Sequence, residues 1–206
     1  IANAMTVSGG TLNLGTDVYN VTVGGRVDIA GNLNAATAGA MAGDVNVAAD
    51  GIVPVVVSSN DSILIGGDIN VVDTVARQIK LAAPLINVTG NATVENAGFL
   101  TLGTVATTYV RVVGDLTANN GGVFESFADD LFVGALSGNS KFIVHGENIT
   151  ANAGDIDIAG NLYFDAVSDP VNPDTGLVVQ TTDNLTLKTT ADGADIRVAD
   201  VSVGTG

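Results

Sequence analysis

The sequence predicts an all-β chain wound as a parallel β-helix, and three observations carry the prediction. A short phrase of Gly, Asp or Asn, apolar, polar, apolar returns eight times at intervals of 22 to 24 residues. Within each interval, apolar residues alternate with polar ones at three places. Helical spacing of apolar residues is nearly absent, and the abundant Thr, Val, Asn and Gly are weak helix formers. A fixed period of this size marks stacked coils, none of which can bury its apolar face alone.

In order, the copies are Tyr19-Asn20-Val21-Thr22-Val23, Gly43-Asp44-Val45-Asn46-Val47, Gly67-Asp68-Ile69-Asn70-Val71 and Gly90-Asn91-Ala92-Thr93-Val94. They continue as Gly114-Asp115-Leu116-Thr117-Ala118, Gly138-Asn139-Ser140-Lys141-Phe142, Gly160-Asn161-Leu162-Tyr163-Phe164 and Asp183-Asn184-Leu185-Thr186-Leu187. The second place is always Asp or Asn, which suits a corner between strands because these residues tolerate unusual backbone and bond nearby main chain. The phrase therefore predicts a turn ladder of Asn20, Asp44, Asp68, Asn91, Asp115, Asn139, Asn161 and Asn184. Gly precedes it in six copies and allows close packing at that corner.

Three short strands per coil follow from the alternation. In the coil from Gly67 they are Ile69 to Val71, Ile79 to Leu81 and Leu85 to Val88. The next coil gives Ala92 to Val94, Phe99 to Leu102 and Tyr109 to Val113. The third gives Leu116 to Ala118, Val123 to Phe127 and Leu131 to Val133. Alternation turns Val45 and Val47 inward and Asn46 outward, and the inward set forms an aliphatic stack along the axis. About eight or nine coils at ~4.8 Å each make a rod on the order of 40 Å long. Ser140 takes the place of an inward apolar residue, and 165–175, with Pro170 and Pro173, is expected as a surface loop.

Composition agrees with this reading. Of 206 residues 46% are apolar but only 4% aromatic, as expected of a narrow core of Val, Ile, Leu and Ala. No shift in composition divides the chain, so 1–206 reads as one solenoid domain, with 1–18 a degenerate first coil or a strand that joins subunits. The net charge of −15, from 22 acids and 7 bases, argues against nucleic acid and anionic membranes, which need clustered Lys and Arg. Cysteine is absent, so disulfides and thiolate metal sites are excluded, and no apolar run is long enough for a transmembrane helix.

The phrases Gly31-Asn32-Leu33-Asn34-Ala35, Gly114-Asp115-Leu116-Thr117-Ala118 and Gly154-Asp155-Ile156-Asp157-Ile158 resemble the β-strand repeats of filamentous-haemagglutinin-like adhesins and autotransporter passenger regions. The resemblance runs from about Tyr19 to Gly206 and implies a right-handed parallel β-helix in a secreted fibre on a cell surface. The family's Asn-Pro-rich secretion motif and C-terminal membrane barrel have no counterpart here.

Enzymatic β-helices need clustered carboxylates with a base close by. The candidates are Asp129 with Asp130, Asp155 with Asp157 and Asp165 with Asp169; the one histidine is His145. These acids fall on turns and outward positions, where solvation accounts for them, so no catalytic residue or cofactor is assigned. Calcium has two candidate ligands, Asp44 and Asp68, expected one above the other. Repeat Asn followed by outward Thr also explains the Asn-x-Thr triplets at Asn20, Asn91 and Asn184 without a glycan.

Both ends carry strand-like residues, Met5-Thr6-Val7 and Leu12-Asn13-Leu14 at one and Val201-Ser202-Val203 at the other. The expectation is either a longer array or head-to-tail self-association, in an extracellular fibre or adhesin that touches host or cell-surface glycans. The alternative is a carbohydrate-binding or polysaccharide-cleaving β-helix.

Overall fold

A computed structural model describes residues 1, 3–8, 12–14, 20–29, 33–34, 45–47, 55–72, 78–146, 148–164, 176–179, 186–190 and 192–203. Among these residues the regular structure is β-strand throughout, and every ladder is parallel. The strands form three sheets visited in rotation, so the chain is a parallel β-helix with three strands per coil.

Sheet 1 has eight strands: Met5–Val7, Val27–Ile29, Ser62–Ile65, Leu85–Val88, Tyr109–Val112, Asp130–Val133, Asn148–Ala151 and Thr186–Thr189. Sheet 2 runs through Ile69–Val71, Ala92–Val94, Leu116–Ala118 and Leu136–Gly138 to the first half of Ile156–Phe164. Sheet 3 runs through Asn20–Val23, Val55–Ser59, Gln78–Ala82, Phe99–Leu102, Val123–Ser126 and Lys141–Val144. The long strand Ile156–Phe164 turns the corner from sheet 2 to sheet 3, with its register breaking between Ile158 and Asn161, and Ile196–Val203 follows it round. Five strands expected from alternation, Ile69–Val71, Leu85–Val88, Ala92–Val94, Phe99–Leu102 and Leu116–Ala118, occur with the expected limits.

Coil length is less uniform than the repeated phrase. Ser62, Leu85, Tyr109, Asp130 and Asn148 lie one above the next, so successive coils take 23, 24, 21 and 18 residues. Two steps are longer, Val27 to Ile63 and Asn148 to Thr186, because each holds an additional strand. Val45–Val47 slots into sheet 2 between Leu12–Leu14 and Leu33–Asn34, and Gly176–Val179 slots into sheet 3 between Lys141–Val144 and the second half of Ile156–Phe164. Among the described residues sheet 1 receives no such insertion. The segment 165–175, expected as a loop, lies outside the described residues.

Alternation has the expected consequence for packing. Val55–Ser59 reads buried, half-buried, buried, half-buried, buried, and the inward residues Ile63, Ile86, Val110, Leu131 and Ile149 stack in one column at 0 or 1% exposure. Volume is matched within each coil. Ala118 and Ser126 face the interior in the same coil as Phe124, and Gly138 in the same coil as Phe142. The two rings lie 6.2 Å apart, so the bulky residues of adjacent coils also fill each other's gap.

Phe124 is fully buried, and no neighbour in its coil is large enough to take its place. Phe124→Ala is expected to cost about 3–5 kcal/mol of unfolding free energy, read as a lower urea midpoint. Loss of less than about 1 kcal/mol contradicts the matching of volumes described above.

Candidate functional site

The corner between sheets 1 and 2 is built from the repeated phrase. Gly90, Gly114, Gly134 and Gly154 each donate their N–H to the carbonyl of the glycine one coil below, at 3.0, 3.0, 2.7 and 3.0 Å. A Cβ on Gly114 would sit 2.8 Å from the Gly90 carbonyl oxygen, and one on Gly134 2.6 Å from that of Gly114, so the column admits only glycine. The next residue turns the chain, and its side chain reaches the coil above. Asp68 Oδ1 accepts the Asn91 N–H at 2.7 Å, Asn91 Oδ1 the Asp115 N–H at 2.9 Å, and Asp155 Oδ1 the Asp195 N–H at 2.8 Å. The residue after that donates upward: Ile69 to Asn91 O, Ala92 to Asp115 O and Leu116 to Ala135 O. The corner residue's side chain thus bonds the main chain one coil above, rather than its own chain two residues on.

Of the expected turn ladder, Asp68, Asn91 and Asp115 share this corner, and the rungs above them are Ala135, Asp155 and Asp195. Asn20 opens a strand of sheet 3, Asn139 stands at the next corner and Asn161 lies in the sheet 3 half of Ile156–Phe164. Asp44 and Asn184 lie outside the described residues. For Asn139 and Asn161 the displacement has a simple cause: the phrase keeps its interval of 22 to 24 residues while the coils shorten to 21 and 18, so it slides round the helix by one corner.

The slide also explains Ser140, which is buried at a corner rather than on an inward strand position. In the two coils below, this corner is a four-residue turn with positive φ at both central residues, Asn96 and Ala97 at 54° and 60°, then Asn120 and Gly121 at 53° and 82°. In the shorter coil only Asn139 and Ser140 remain. Their side chains accept the N–H groups of Asn120 and Gly121 at 3.2 and 2.9 Å, satisfying the turn beneath.

Of the acids singled out in the sequence, Asp130, Asp155 and Asp157 are held by the chain itself, and Asp129 is exposed beside Asp130. Asp130 accepts the Asn148 amide at 2.9 Å, and Arg197 lies 3.8, 3.6 and 2.5 Å from Asp155, Asp157 and Asp195. The Asp195 hydrogen bond and charge raise the Arg197 pKa. Asp165 and Asp169 lie outside the described residues. Above Asp68 comes Asn91, so the acids Asp68 and Asp115 stand two rungs apart with a neutral amide between them.

Two side-chain clusters emerge that linear reading does not find. On the outer face of sheet 3, Lys80, Thr101 and Glu125 stand in register. Thr101 Oγ1 donates to Glu125 Oε2 at 3.0 Å, and His145 Nε2 is 3.1 Å from Glu125 Oε1. The His145 ring stacks on Phe127 at 3.9 Å and 3°, and Lys80 Nζ lies 5.5 Å from the same phenyl centroid. An activated hydroxyl needs its base directly on it. Here the carboxylate stands between hydroxyl and imidazole and takes both, which suits the holding of three coils together.

On the outer face of sheet 1, two columns of side chains run parallel to the axis. One is Asn87, Arg111, Phe132, Thr150 and Lys188; the other is Leu85, Tyr109, Asp130, Asn148 and Thr186. The Tyr109 and Phe132 rings lie 5.1 Å apart at 30° and form an apolar ridge across the columns. Sequence spacing hides both clusters, because residues in contact are separated by 18 to 47 positions that vary from coil to coil.

Comparison with protein-family models, curated proteins and solved structures gives no match for this chain.

Two outcomes follow for these sites. Asp68→Ala removes the acceptor for Asn91 N–H and is expected to cost about 0.5–1.5 kcal/mol in urea unfolding, whereas Asp68→Asn keeps the oxygen and stays within about 0.5 kcal/mol. Equal losses for the two variants would mean that charge, not the coil-to-coil bond, is what matters. A double-mutant cycle of Phe127→Leu and His145→Ala is expected to give a coupling of about 0.5–1.5 kcal/mol, and strictly additive losses contradict the stacked pair.

Proposed function

We propose that the chain is a structural, non-catalytic part of an extracellular surface fibre or adhesin, and that its coils associate along the axis. The observation that carries this reading is the continuity of the axial ladder. Successive coils are joined in all three sheets, and the outermost strands, such as Met5–Val7 and Thr186–Thr189, pair on one side only among the described residues. An unpaired parallel edge accepts another strand, whether from further coils or from another copy. Contacts of this kind are heterologous and extend without closing, which is the geometry of a filament.

Thr6 offers a direct test. Met5 N–H donates to Arg26 O at 2.9 Å, and in a parallel ladder alternate residues serve opposite neighbours, so the Thr6 N–H faces the open edge. Thr6→Pro therefore blocks that edge without breaking a bond inside the helix. The expected result is concentration-dependent growth of single-width rods by light scattering and electron microscopy, abolished by Thr6→Pro with β-structure intact by circular dichroism. A monodisperse monomer of the unsubstituted chain at high concentration, or growth that Thr6→Pro leaves unchanged, overturns axial association through this edge.

A further inference from the structure

We propose that the outer face of sheet 1 binds an acidic polysaccharide, a polymer of carboxylated pyranose sugars, laid along the helix axis. The proposal goes beyond the fibre reading and does not depend on it. Its starting point is charge. The chain carries −15, yet along the five rungs from Asn87 to Lys188 the only charged residues of the two outward columns are Arg111, Lys188 and Asp130. Asp130 is engaged by the Asn148 amide, and Asp28, further along the same face, is paired with Arg26 at 2.6 Å. Arg111 and Lys188 are exposed and make no ion pair with a described residue. Both acids of this face thus have a partner within the chain, while its two outward cations make no ion pair among the described residues.

An anion repelled by the acids of the adjoining corner, Asp68, Asp115, Asp155 and Asp195, meets two cations in these columns. Arg111 and Lys188 share one column three rungs apart, a distance of ~14 Å at the spacing of parallel strands. Two cations in line with the axis suit a polymer with carboxylates along its length better than a single small anion. The side chains between and beside them suit a sugar backbone. Tyr109 and Phe132 supply an apolar ridge against which the C–H face of a pyranose ring packs, and Thr150 and Thr186 supply hydroxyl groups for ring hydroxyls. Sheet 1 also lacks the inserted strands of the other two sheets, so these rungs stay evenly spaced. Arginine at the centre, beside the ridge, offers a planar fork to a carboxylate.

The test is affinity electrophoresis and calorimetry of the full chain with polygalacturonate in EDTA, alongside dextran as a neutral polysaccharide and polyglutamate as an acidic polypeptide. Polygalacturonate is expected to bind, more weakly as salt is raised, and dextran and polyglutamate to bind at least tenfold less. Arg111→Gln with Lys188→Gln is expected to weaken polygalacturonate at least tenfold, and Phe132→Thr to weaken it without changing the salt dependence. Lys80→Gln, on the outer face of sheet 3, serves as the control and leaves binding unchanged. Absence of polygalacturonate binding overturns the proposal. So does equal binding of polyglutamate, which would make charge alone sufficient, or binding that the Arg111 and Lys188 substitutions leave intact.

Discussion

Everything in this chain depends on the hydrogen-bonded ladder that runs parallel to the helix axis. A parallel strand fixes its neighbours at ~4.8 Å on both sides, and that spacing sets every other dimension of the molecule. It decides which residues stack inside, because an inward residue meets its counterpart one coil above at van der Waals distance. At the corners, where regular strands stop, each freed N–H and carbonyl must still find a partner. Gly90, Gly114 and Gly134 carry the main-chain ladder through the corner, and Asp68, Asn91 and Asp155 complete it with side-chain oxygens. The phrase repeated in the sequence is thus the imprint of a main-chain requirement.

That origin explains how much of the fold is legible in the order of residues alone. Alternation around Ile69, Leu85 and Ala92 places strands to the residue, because inward and outward environments differ sharply in polarity. Vertical neighbours are another matter. The phrase at Gly138-Asn139 reads like the one at Gly114-Asp115, yet the coil between them holds 21 residues and the following coil 18, so equal spelling falls on different corners. The loss is local and physical: a four-residue turn at Asn119–Gly122 gives way to Asn139-Ser140, whose side chains bond the turn below. Nothing in the linear order of Ser140 separates a corner residue from a defective inward one. The inserted strands Val45–Val47 and Gly176–Val179 are hidden for the same reason, since register, not composition, distinguishes an extra rung from the next coil.

The outward surfaces show what the ladder leaves free. Inward positions are constrained by volume, as Phe124 with Ala118 and Phe142 with Gly138 show, whereas outward positions are constrained only by their neighbours in the column. Chemistry therefore appears in columns. On sheet 3, Glu125 bonds both Thr101 and His145 and so links three coils. On sheet 1, Arg111 and Lys188 share a column and make no ion pair among the described residues. The first column uses its polar groups within the chain; in the second, Arg111 and Lys188 are exposed.

Axial growth and an axial ligand track reinforce each other for a geometric reason. A column on one copy continues in line with the same column on the next only if the copies join through their strand edges, since that joint preserves both direction and rung spacing. A linear polymer lying across the joint then contacts two copies at once, and its second contact is made at an effective concentration set by the rod instead of by solution. Weak single contacts, such as one Arg111 with one carboxylate, gain affinity in this way without any new interaction. The opposing effect is electrostatic: stacking copies of charge −15 brings like charges together, among them the acids of the corner that holds Asp68, Asp115, Asp155 and Asp195.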